Sequence, residues 1–100
     1  VIQFQKLLNS KNENIRNISA KTISKVARKA YPEILDTTVE KLISLLDDSF
    51  PSVVESTIES LGNLGKYARK AEEKLKKIIK DGDLYKKTLA QEALKKIQEK

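Results

Sequence analysis

The sequence predicts an all-α chain, an α-solenoid of stacked antiparallel helix pairs with about five to six helices. Three observations carry that expectation. The first is an internal repeat. Displaced by 38 positions, Leu7 and Leu8 fall on Leu45 and Leu46, Ile15 on Val53, Ile23 on Leu61 and Val26 on Leu64; displaced by 33, Leu42 falls on Leu75, Asp48 on Asp81 and Leu61 on Leu94. Periods of this length, each holding two amphipathic helices, belong to arrays in which each unit's apolar stripe is covered only by its neighbour. The second is apolar spacing near 3.6 residues throughout. The third is punctuation by Pro32, Pro51, Gly62, Gly65 and Asp81-Gly82-Asp83.

The elements follow in order. Residues 1–8, with Val1, Phe4, Leu7 and Leu8 matching Val39, Leu42, Leu45 and Leu46, look like the tail of a truncated preceding helix. The chain contains no Met, so a segment before Val1 is expected. Repeat one covers 10–46. Its first helix, 12–30, gathers Ile15, Ile18, Ser19, Thr22, Ile23, Val26 and Ala30 on one side and Lys21, Ser24, Lys25 and Arg28 on the other. Pro32 suits a first helical turn, and from there a partner helix runs to about Leu46 with Ile34, Leu35, Val39, Leu42, Leu45 and Leu46 inward. Repeat two covers 48–80: Pro51 opens a helix that closes at "LGNLG", and a shorter partner spans about 68–80. Residues 81–100 form a terminal capping helix with Asp83 as its N-cap. The whole reads as one domain.

These residues resemble the HEAT repeats, in the short form called PBS-lyase-like. The pattern is carried by Asp48, Val53, Thr57, Ser60, Leu61, Gly62, Leu64 and Gly65, by Ser10, Ile15, Arg16, Ser19, Thr22 and Ile23 before them, and by Asp81, Lys87, Ala90, Ala93 and Leu94 after. The resemblance covers the whole chain. It implies a right-handed stack whose second helices line a concave partner-binding surface. It also implies a ladder of Asp-to-Arg pairs between units, here incomplete, because the Arg position reads Arg16, Val54 and Lys87 and the first Asp position is Ser10. Lys86 stands where the pattern has Val, which suits a terminal helix facing water.

Of the 100 residues, 39% are hydrophobic and 34% charged, enough for a core and not a disordered composition. There is no Cys or His, which removes disulfides, thiolate metal sites and the commonest general base, and fits an intracellular location. No apolar run approaches the ~20 residues of a membrane span.

The formal charge of +6 is distributed in blocks. Residues 1–30 hold seven cations against Glu13; residues 31–65 hold Lys41 against seven acids; residues 66–100 hold twelve cations against six acids. Helical projection gathers Glu33, Asp36, Glu40 and Asp47 into an acidic ridge, and Lys66, Arg69, Lys70, Lys77 and Lys80 into a basic ridge interrupted by Glu73. The two ridges are expected side by side. They read as solvated faces that partly neutralise each other, or as a contact for phosphates or an acidic partner surface.

No catalytic constellation is visible. The serines lack a histidine base, no Gly-rich phosphate loop precedes a helix, and Asp47-Asp48 and Asp81/Asp83 sit where helices stop and start, which suits capping. "DGD" lacks the rest of a calcium loop. Tyr31, Tyr67 and Tyr85 are the candidates for base stacking, with packing between helices as their ordinary reading. The functional expectation is a non-enzymatic module without cofactor or metal. It would present Lys66, Arg69, Lys70, Lys77 and Lys80 together with Glu33, Asp36 and Glu40 to another protein as a scaffold, with no membrane partner. The alternative is nonspecific nucleic-acid binding through the basic ridges.

Overall fold

The computed structural model describes residues 2–29 and 31–99. Val1 and Ala30, counted above among inward-facing residues, and Lys100 lie outside them. The described residues are helical with no strand: α1 (Ile2–Leu7), α2 (Glu13–Ala27), α3 (Pro32–Leu45), α4 (Pro51–Leu64), a 3-10 segment (Gly65–Ala71), α5 (Glu72–Asp81) and α6 (Leu84–Gln98).

Local chemistry explains the boundaries. The Asn12 side chain accepts the amides of Asn14 and Ile15 and so starts α2. Pro32 and Pro51 occupy the first turns of α3 and α4, where a missing N–H leaves no bond unmade. Asp83 accepts the Lys86 amide at 2.9 Å and starts α6. Gly65 ends α4 at φ 58, ψ −133, a conformation open to glycine and strained for other residues. The partner helix expected at 68–80 is not continuous. It enters through the 3-10 segment, bends at Ala68 (φ −102, ψ 22) and becomes α-helical only at Glu72. It has no opening proline, and the chain leaves Gly65 in a tight turn instead.

The elements assemble into a slab with principal extents of 34 × 33 × 16 Å. That thickness is two helices, given helix axes 8–10 Å apart and Cα cylinders of about 2.3 Å radius. The strongest packing runs α2 to α4 to α6; α3 lies against α4 and the 3-10 segment, and α5 against α6. With neighbours on several sides, α4 buries residues almost all round: Val53, Val54, Ile58, Leu61 and Leu64, with the small polar Ser56, Thr57 and Ser60 between them. Gly62 marks the closest approach. A Cβ there would stand 2.9 Å from Ala93 Cα, so α4 and α6 touch backbone to backbone.

Two inward faces differ from expectation. On α2 the covered residues are Ser19, Ala20, Ile23, Ser24 and Ala27, whereas Ile15 and Ile18 are exposed at 39% and 63%. Ser24 thus lies inside and Ile18 outside, the reverse of the projected stripe. At α1, Leu8 is buried but Leu7 is exposed. Gln5 is buried there and donates from Nε2 to Thr38 Oγ1 (2.8 Å) and to the Ile34 carbonyl (3.2 Å), tying α1 to α3.

Candidate functional site

The acidic ridge is the outer face of α3, because Leu35, Thr38, Val39, Leu42 and Leu45 turn inward and leave Glu33, Asp36 and Glu40 exposed. Asp47 follows in the turn. The basic ridge does not lie on one helix: Lys66, Arg69 and Lys70 belong to the 3-10 segment, and Lys77 and Lys80 to α5. Because α3 packs against the 3-10 segment, the two ridges meet. Lys70 Nζ lies 2.8 Å from Asp36 and 3.5 Å from Glu40. The Asp36 hydrogen bond raises the Lys70 ammonium above its ordinary value; desolvation opposes this, and the charges of Asp36 and Glu40 add to it. Lys74, absent from the ridge as read from sequence, pairs with Asp47. Glu73 is 3.6 Å from Lys76 on its own helix.

The pairing sorts the cations. Lys70 and Lys74 are engaged by α3 and the turn after it. Arg69, Lys77 and Lys80 are exposed and have no ion-pair partner among the described residues, and Lys66 places its ammonium 5.7 Å from the centroid of the Tyr67 ring. Glu33, in the first turn of α3, is likewise exposed and unpaired among the described residues.

A more buried ion pair ties α2 to the turn between α3 and α4. Arg16 donates to Asp48 through Nε (2.7 Å) and Nη2 (3.2 Å), and to the Ser10 carbonyl through Nη1 (2.7 Å), with its guanidinium 5.7 Å from the Phe50 ring centroid. The two side chains are 13% and 7% exposed. Burial pushes the Asp48 carboxyl up, but the Arg16 hydrogen bond, the Phe50 amide and the guanidinium charge together outweigh it and hold it below the usual carboxylate range. On its other side Asp48 lines a cleft of about 500 Å³ together with Asp47, Val54, Lys77, Ile78, Asp81 and Lys86. Lys86 lines this cleft and is only 24% exposed, so it faces water less than the sequence suggested.

Tyr31 and Tyr85, at 76% and 58% exposed, are not packed between helices as expected, whereas Tyr67, 46% exposed, lines a cleft with Pro32 and Leu35. Asp83 caps α6 and lies 4.0 Å from Lys86; no group of three or more His, Cys, Asp or Glu side chains suited to a metal occurs among the described residues. No helix among them is long and apolar enough to cross a membrane. A scan against protein-family models and a search of curated proteins returned no match to this chain.

Proposed function

We propose that this chain is a non-catalytic protein-interaction module, a HEAT-like solenoid segment whose second-layer elements present a cationic surface to an acidic face of another protein inside the cell. The observation that carries the reading is the sorting of the lysines. Lys70 and Lys74 are spent on α3 and its turn, while Lys77 and Lys80 stand exposed on α5 with no carboxylate paired to them among the described residues. A helix carrying exposed lysines without ion-pair partners is suited to steer and register an acidic partner. The internal repeat and the run of packing from α2 through α4 to α6 support the solenoid reading. A duplex laid across α3 and the 3-10 segment would meet Glu33, Asp36 and Glu40, so a duplex is the weaker fit.

The test separates the two classes of lysine. Lys77→Glu with Lys80→Glu is expected to weaken binding of a Glu-rich peptide, measured by calorimetry at about 0.05 and 0.15 M salt, without changing the melting temperature. Lys70→Glu with Lys74→Glu is expected to lower the melting temperature, since it places acids beside Asp36, Glu40 and Asp47. Peptide binding that survives the Lys77/Lys80 reversal at both salts contradicts the assignment.

A further inference from the structure

We propose that the edge of the slab formed by the α2–α3 turn and the 3-10 segment binds single-stranded nucleic acid, with Tyr67 and Tyr31 stacking on bases and Arg28, Lys29, Lys66 and Arg69 holding phosphates. This edge is distinct from the α5 surface above and rests on a different observation, the exposure of tyrosines that packing would have buried.

The chain reaches the edge twice. Residues 28–29 and 31–36 supply Arg28, Lys29, Tyr31, Glu33 and Asp36; residues 65–71 supply Lys66, Tyr67, Arg69 and Lys70. The packing of α3 on the 3-10 segment brings the two stretches together. Between them lies a cleft of about 280 Å³ lined by Arg28, Pro32, Leu35, Asp36 and Tyr67, so a guanidinium, an aromatic ring and an apolar floor share one concavity. Five cations stand against two carboxylates in these stretches. One of the two, Asp36, is the only acid in the cleft lining and is held by Lys70 at 2.8 Å.

The ring geometry suits the assignment. Tyr67 is 46% exposed and Tyr31 is 76% exposed, the second being the N-cap of α3 with no side-chain capping bond. Rings so exposed are accessible to a planar ligand. The Lys66 ammonium lies over the Tyr67 ring, 5.7 Å from its centroid, so a base stacking on that face would replace it and leave the cation for the phosphate. Alternation of aromatic rings and cations along an open groove is the arrangement that takes unpaired bases and their backbone together, with little dependence on sequence. A duplex keeps its bases stacked on each other and cannot use the rings in this way.

The experiment is fluorescence anisotropy of a labelled oligothymidylate with the intact chain at about 50 and 200 mM salt, with a labelled duplex alongside. Wild-type protein is expected to bind the single strand more tightly than the duplex. Tyr67→Ala is expected to lose about tenfold in affinity, with a further loss on adding Tyr31→Ala, whereas Tyr67→Phe keeps the ring and stays within about twofold. Arg28→Ala with Lys29→Ala is expected to weaken binding and flatten its salt dependence. Lys77→Glu with Lys80→Glu, which tests the α5 surface, is expected to change single-strand affinity by less than about threefold, so the two proposals fail separately. All these side chains are exposed, and a thermal melt of each variant verifies the fold. Absence of single-strand binding at low salt overturns the proposal. So does binding that the double tyrosine variant retains, because charge alone then accounts for it.

Discussion

Arg16 holds three acceptors at once: both oxygens of Asp48, in the turn between α3 and α4, and the Ser10 carbonyl before α2. Truncation to Ala leaves Asp48 largely buried and without its counter-ion, which is expected to cost about 3 kcal/mol in a denaturant titration. Lys at this position keeps the charge but not the fork, and is expected to recover only part of the loss. The same pair sets an acid limb. The Asp48 carboxyl in the folded chain sits below its unfolded value of about 3.9, so between the two values the unfolded chain binds more protons. The pair's contribution is therefore complete above that value and is lost as pH falls through the folded one. Asp48→Asn is expected to give a shallower stability loss below about pH 4 than the wild type shows. The resemblance to a repeat pattern made Arg16 and Asp48 visible in the sequence as ladder positions. It could not show Gln5 reaching Thr38, or that the hydroxyls of Ser24 and Ser60 are buried without a hydrogen-bond partner, because both depend on three-dimensional packing. An unsatisfied hydroxyl is a cost, so Ser60→Ala is expected to raise stability by up to about 1 kcal/mol.

Among the elements, α4 was the easiest to read from sequence and α2 the hardest, for one physical reason. A helix buried nearly all round, as α4 is, tolerates an error in the direction of its stripe. On α2 two apolar sets lie on different faces: Ala20, Ile23 and Ala27 turn inward, while Ile15 and Ile18 face water. Spacing alone merged them into one stripe. The proline-led starts of α3 and α4 and the Asp83 cap of α6 were legible because each is a local backbone requirement; the 3-10 approach to α5 carries no such signal. Gly62→Ala tests the contact that sets the α4–α6 distance. Its Cβ would meet Ala93 Cα at 2.9 Å, backbone that cannot rotate aside, so a loss of about 1–3 kcal/mol is expected. Val54→Arg tests how closed this part of the core is. Val54 is only 5% exposed, so the larger, charged side chain is expected to cost about 1–3 kcal/mol even with Asp81 across the cleft.

At the scale of the whole molecule, the charge blocks are its most legible property: the acidic middle of the chain forms a face on α3 that meets the basic block at the 3-10 segment. The basic residues, projected onto one helix, are divided by the structure between that segment and α5. Projection could not show which lysines the acids would engage, since that depends on the 3-10 segment carrying Lys70 to Asp36 and on Lys74 reaching Asp47. Nor could it show how exposed the tyrosines are, because exposed and packed aromatic rings have the same spacing. The proposed solenoid reading makes one architectural claim: α4 is the shared wall between α2 and α6, and stability should pass from neighbour to neighbour through it. Native-state amide hydrogen exchange, resolved by residue, tests that claim most directly. The slowest exchange is expected in α4, around Ile58 to Leu61, with α2 and α6 opening separately and at lower free energy. Uniform protection lost in a single global step, or protection of α2 and α6 equal to that of α4, would contradict it.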